Sequence, residues 1–226
     1  MIKGVLFDMD GVLVDTEGLS RRIFVETCAE AGYTLQPEEF VLFLGCTREE
    51  DGRILREKFG ADFPFDWMYE EYRRRLTVGI RTEPDILKPG FEACMRGLRA
   101  RGIKIALATS TAREYLERNY LPYIPAMQNA FDATVCGIEA GRGKPFPDIF
   151  LEAARRIGMP IEECMGVEDS LKGLKSLTAA GCVRVMIPDL LPCDERVQGL
   201  LDYKVENLAN LLPLIDRLNG NGRLRG

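Results

Sequence analysis

The strongest constraint in this chain is an alternation of period. Short apolar runs, each four to six residues long, take turns with stretches whose apolar residues recur every three or four positions. Ile2–Phe7 is the first apolar run and reads as a buried strand. After the Lys88-Pro89-Gly90 break, Phe91, Cys94, Met95 and Leu98 mark a helix stopping near Gly102, and Lys104–Ala108 reads as a strand. A helix from about Ala112, a strand at Ala133–Cys136, a helix over Pro147–Ile157 and a strand at Cys164–Val167 follow. Leu171–Ala180 reads as a helix stopped by Gly181, then Val183–Ile187 as a strand, then a short strand at Val205 and a helix over Leu208–Leu218. Alternation of this kind implies an α/β fold with a parallel sheet covered on both faces.

One block breaks the rule. From Glu17 to about Ile80 the pattern is helical throughout, with Leu19, Ile23, Phe24, Thr27, Cys28 and Ala31 on one stripe. We read residues 16–84 as a small helical cap inserted into a core made of residues 1–15 and 85–218. Glu17 and Pro84 mark its hinges. The Gly/Asn/Arg-rich tail, residues 219–226, reads as disordered.

Composition narrows the chemistry. The 226 residues contain no histidine. That removes a Ser-His-Asp triad, a histidine zinc site and a histidine general base together. Proton chemistry then rests mainly on carboxylates. The net charge of −5 gives no basic footprint for nucleic acid, and no apolar run approaches membrane-spanning length. The N-terminus lacks the pattern of a secretory leader. Seven cysteines without a CxxC pair read as reduced thiols of a cytoplasmic protein.

In a doubly wound sheet the functional site lies beyond the carboxyl ends of the strands. Those ends carry Asp8-Met9-Asp10-Gly11, Thr109-Ser110-Thr111 and Glu168-Asp169-Ser170, and a loop carries Gly143-Lys144-Pro145. Converging carboxylates repel one another, and a hard divalent cation such as Mg²⁺ relieves that repulsion. A lysine and hydroxyls beside it suit the oxygens of a phosphoryl group. Asp8 is then placed to attack phosphorus, and Asp10, on the same side of an extended chain, to protonate a leaving alcohol and activate water.

These segments resemble the motifs of the haloacid dehalogenase-like superfamily. The match runs through FDMDGVLVDTE (Phe7–Glu17), ATST (Ala108–Thr111), GKPFPDIF (Gly143–Phe150) and GVEDSLKGLKSLTAAG (Gly166–Gly181). Within it, the chain resembles the β-phosphoglucomutase-like subgroup of sugar-phosphate phosphatases and mutases. The resemblance implies a Rossmann-like core with an inserted cap. It assigns catalysis to Asp8, Asp10, Ser110 and Lys144, and a magnesium ion to Asp8, Asp10, Glu168 and Asp169. Gly11, Thr109, Ser110, Thr111 and Lys144 are the expected substrate contacts in the core.

In the cap, Thr47-Arg48-Glu49 follows Leu44-Gly45, and Arg48 is the candidate for a distal phosphate or carboxylate. The same residues also read simply as a helix start, and Ser110 as an N-cap for the helix near Ala112. Arg113 is a further substrate candidate, or a surface helix residue. Related mutases carry a histidine where this chain has Ser20, which tilts the expectation from phosphomutase to phosphatase. The expected protein is a monomeric, cytoplasmic, Mg²⁺-dependent phosphatase of a small phosphorylated metabolite. A phosphomutase and a non-catalytic binder of phosphorylated ligands are the alternatives.

Overall fold

The computed structural model describes residues 1–44, 46 and 48–221. Gly45 and Thr47 of the expected Arg48 loop, and residues 222–226 of the expected tail, lie outside the described residues. In chain order the strands and α-helices are β1 (Gly4–Phe7), α1 (Thr16–Glu30), α2 (Arg48–Phe59), α3 (Phe65–Thr82), α4 (Phe91–Ala100) and β2 (Lys104–Thr109). They continue with α5 (Arg113–Asn119), β3 (Ala133–Cys136), α6 (Asp148–Arg156), β4 (Cys164–Glu168) and α7 (Leu171–Ala180). The last are β5 (Val183–Met186), α8 (Glu195–Gln198), β6 (Tyr203–Lys204) and α9 (Leu211–Asn221). The chain divides into two compact units, one of Met1–Asp15 with Asp85–Gly226 and one of Thr16–Pro84.

The larger unit is a six-stranded sheet in the order β3-β2-β1-β4-β5-β6, parallel throughout. β1 pairs with β2 on one side and β4 on the other, with Val5 opposite both Ile105 and Met165. The strand order therefore reverses direction at β1, which opens the crevice where such sheets bind ligands. The strands are continuous apolar runs because both faces are covered. Leu6, Ala106 and Val135 pack with Ile149, Phe150 and Ala153 of α6 and Leu174 and Leu177 of α7 in one buried cluster. Each large side chain in such a core contributes about 1.5–3 kcal/mol. The strand ends that carry the polar motifs are thus held by a rigid apolar layer.

The smaller unit is helical. Phe24 of α1 stands at its centre, with ring centroids 5.5 Å from Phe40, 4.8 Å from Phe43 and 5.1 Å from Tyr72. Ser20 and Tyr72 share a buried hydrogen bond of 2.6 Å between α1 and α3. A 3₁₀ segment, Pro37–Phe43, joins α1 towards α2.

Three expectations need correction. The last strand is Tyr203–Lys204 rather than Val205, because these two residues pair with Val185 and Met186. The expected helix from Leu208 opens with a 3₁₀ turn, Leu208–Asn210, which Asn207 caps, and its α part begins at Leu211. The tail read as disordered from Asn219 is helical through Asn221. Asn219 Oδ1 accepts the Ile2 N–H at 2.6 Å and its Nδ2 donates to the Ile2 carbonyl at 3.1 Å, a tie across the whole chain that local composition does not signal.

Candidate active site

Asp8 follows β1 directly, and its N–H donates to the Val167 carbonyl at 3.0 Å, so backbone pairing sets where its side chain emerges. The chain then turns at Gly11, whose φ is +80°. A Cβ there would lie 2.2 Å from Asp169 Oδ2, so glycine is required both by the turn and by the carboxylate against it. Asp8, Glu168 and Asp169 are buried, and each offers an oxygen within 4.8 Å of the other two.

Lys144 enters this cluster from the loop between β3 and α6. Its Nζ donates to Asp8 Oδ1 at 2.5 Å and to Glu168 Oε1 at 2.6 Å. The loop is fastened to α7 by Ser176 Oγ, which donates to the Phe146 carbonyl at 2.6 Å. The Lys144 ammonium also lies 5.0 Å from the centre of the Phe150 ring. Burial opposes its charge, yet the two carboxylates hold its pKa above the ordinary lysine value. Burial lifts Asp8 to about 8 against the pull of Lys144, helped by the charges of Glu168 and Asp10.

Glu168 is the most completely engaged of the acids. Its Oε2 accepts from the backbone N–H groups of Asp169 and Ser170, both at 3.1 Å, and from Ser170 Oγ at 2.9 Å. Ser170 also caps α7, accepting from the Gly173 N–H at 3.0 Å. A Cβ on Gly173 would stand 1.8 Å from the Glu168 carboxyl carbon, so this glycine makes room for the side chain.

Asp10 is half-buried and held at both oxygens. Thr111 Oγ1 donates to Oδ2 and Tyr120 Oη to Oδ1, each at 3.1 Å. Thr109 is fully buried, and its hydroxyl accepts the Thr111 N–H at 3.1 Å. Ser110 is exposed beside them, and its hydroxyl makes no hydrogen bond among the described residues. The N-cap of α5 is Ala112, without a side-chain cap bond, so Ser110 does not cap that helix. Arg113 is bound to Glu139 at 2.5 Å and to the Thr134 carbonyl at 2.9 Å.

The structure thus brings together Asp8, Lys144, Glu168 and Asp169, and separately ties Thr111 to Asp10. Arg48 belongs to the helical unit, where it donates to Asp66 at 2.7 Å and its guanidinium lies 5.2 Å from the Tyr69 ring centre. The sequence reading missed Tyr120, 110 residues from its partner in an ordinary helical stretch. It also missed the supporting part of Ser170 and Gly173. The run Glu168-Asp169-Ser170 ahead of a helix was the available signal for the Ser170 cap.

The donor set fits a hard divalent cation. Three buried carboxylates face a single ammonium, and the oxygens sit close enough to share one ion. An acid–lysine cluster at the switch point of a parallel α/β sheet is an arrangement suited to phosphoryl transfer.

Comparison with known proteins agrees. The family model of haloacid dehalogenase-like hydrolases matches residues 2–181, and the chain belongs to this family of enzymes. It is 32% identical over 227 residues to the protein CbbY of Cereibacter sphaeroides, covering 93% of this chain and 94% of that one. It is 31% identical over 188 residues to a phosphorylated carbohydrates phosphatase of Thermotoga maritima, covering 81% and 84%. Among solved structures, CbbY from Rhodobacter sphaeroides in complex with phosphate superposes with a TM-score of 0.70 at 32% identity, covering 93% and 96%. A mutant of the same protein has also been solved in complex with xylulose-(1,5)bisphosphate. The chain spans only 54% of the Arabidopsis thaliana bifunctional riboflavin kinase/FMN phosphatase, to which it is 29% identical over 211 residues, 89% of its own length. It spans 18% of SUPPRESSOR OF QUENCHING 1 from the same plant, at 34% identity over 191 residues, 81% of its own length.

Proposed function

We propose that this phosphatase-class hydrolase acts on a small phosphorylated metabolite, a sugar phosphate, through a phosphoryl-aspartate on Asp8. The observation that carries the reading is Lys144 Nζ bridging Asp8 and Glu168 inside a buried acid cluster at the crevice. An Asp8 oxygen forms a bond to phosphorus as the bond to the leaving oxygen breaks. The leaving oxygen keeps the electron pair and takes a proton from Asp10. A water then attacks phosphorus, its proton passes to Asp10, and the bond to Asp8 breaks to release phosphate. Lys144 orients Asp8 and offers charge to the phosphoryl oxygens, and the unclaimed Ser110 hydroxyl supplies a neutral donor.

Asp8, Asp169 and the Asp10 carbonyl would hold a Mg²⁺ ion. Glu168 sits beside them with both oxygens already hydrogen-bonded, and so acts mainly by holding Lys144. When bound, the ion supplies positive charge to the non-bridging phosphoryl oxygens. Residues 16–84 serve as the cap that selects the organic part of the substrate, with Arg48 as its candidate anion contact.

Ser20 supports hydrolysis over isomerisation. At the place where related mutases hold a histidine, its hydroxyl is bonded to Tyr72 inside the helical unit. We infer a reducing, cytoplasmic location and a monomer. None of the seven cysteines forms a disulfide, and among the described residues no helix is long and apolar enough to cross a membrane.

The test is phosphate release with Mg²⁺ across glucose 6-phosphate, fructose 1-phosphate, ribose 5-phosphate and p-nitrophenyl phosphate, with Asp8→Asn as the blank. Release that vanishes in a folded Asp8→Asn protein is expected. Undiminished release by that variant refutes the covalent route. Isomerisation of a hexose 1-phosphate without phosphate release makes the protein a mutase, and neither reaction makes it a binder.

A further inference from the structure

Asp10 carries the proton in the proposed reaction, so whatever fixes its carboxyl group fixes the path of that proton. Thr111 and Tyr120 both hydrogen-bond to it. Thr111 reaches Oδ2 from the loop after β2, within a segment already read as part of the site. Tyr120 reaches Oδ1 from the end of α5 and belongs to none of the four motif segments. Tyr120 is 3% exposed, its N–H is bonded to the Leu116 carbonyl, and its ring stands edge-on to Tyr115 at 6.1 Å between centres. A phenol buried on a backbone pinned by that bond, with a neighbouring ring against it, has few rotamers left. Its hydroxyl therefore presents a fixed donor.

We propose that Tyr120 is a positioning residue for proton transfer by Asp10, an inference that rests on the phosphatase reading above. By donating to Oδ1 it directs the transferable proton to Oδ2, the oxygen it shares with no phenol. There the Thr111 hydroxyl turns from donor to acceptor when the proton is present. On breakage of the phosphorus–oxygen bond the proton leaves Oδ2 for the leaving oxygen. It returns to Oδ2 from the attacking water, so no further reactant is needed. Removing the phenol hydroxyl takes away the donor at Oδ1, so the proton is no longer directed to Oδ2 and both oxygens share it in poorer geometry.

The test compares leaving groups. A sugar alkoxide needs the proton in order to depart, whereas p-nitrophenolate departs without it. Tyr120→Phe keeps the ring and its packing. It is expected to lower kcat/KM for the fastest sugar phosphate of the panel about 10–100-fold, a part of the usual effect of general acid catalysis. For p-nitrophenyl phosphate the change should stay within about threefold, with an unchanged thermal midpoint. In an Asp10→Asn background the same substitution should cost nothing further on either compound. Equal losses on both compounds, an undiminished sugar-phosphate rate, or a full additional loss in the Asp10→Asn background overturns the proposal. A wild-type protein that turns over none of the compounds refutes instead the phosphatase reading beneath it.

Discussion

Replacing Asp51 by asparagine should stabilise the protein at pH 8 more than at pH 5. Asp51 lies in the first turn of α2 and is 8% exposed. Its Oδ1 has no hydrogen-bond partner among the described residues. Burial, reinforced by the charge of Glu50, raises its pKa from 3.8 to about 7. A carboxyl raised in the folded state destabilises the fold as pH climbs from its unfolded value through its folded one. The whole shift corresponds to about 4 kcal/mol above pH 7. Residual solvent contact and the favourable field at a helix N-terminus reduce this to about 2 kcal/mol. At pH 5 the folded carboxyl is largely protonated, and less than about 1 kcal/mol remains. The asparagine N–H groups add a cost that does not vary with pH, so the difference between the two pH values is the informative quantity. At 2–4 °C per kcal/mol, the Tm advantage of Asp51→Asn should be roughly 3–5 °C larger at pH 8 than at pH 5. Thermal unfolding followed by circular dichroism measures it. Equal shifts at both pH values refute the assignment of an ionisable, unpartnered carboxylate.

Further outcomes follow from the site. Gly173→Ala should displace Glu168 and lower both Tm and phosphate release, because the added methyl would overlap the carboxyl carbon. A crystal structure of the variant with Glu168 in place would refute this. Lys144→Met leaves Asp8 and Glu168 buried without their cation and should destabilise the fold by about 3 kcal/mol, read as a lower urea midpoint. Activity should be lost in the same protein. Removal of divalent ions with EDTA should abolish phosphate release, and added Mg²⁺ should restore it. Undiminished release in EDTA argues against a metal held by Asp8 and Asp169.

The alternation of apolar runs and helical stripes foretold the parallel sheet, because strand and helix periods are local properties of a sequence. The strand-end residues Asp8, Glu168 and Asp169 were legible for the same reason: once β1 and β4 are placed, the residues that follow them must emerge at the crevice. Lys144 was legible only through its motif. Its loop has no period, and what holds it there is the Ser176 bond to the Phe146 carbonyl.

Tertiary structure alone decided how those groups are used. It put the Tyr120 phenol on Asp10, gave both oxygens of Glu168 hydrogen-bond partners, bonded Ser20 to Tyr72 and left Asp51 Oδ1 without a partner among the described residues. It also carried the last helix past the expected end of order, through the Asn219 bonds to Ile2. Most of these are contacts, or a missing contact, between side chains and distant parts of the chain. Such contacts depend on how helices and loops pack on the sheet, and a local period carries no record of that packing.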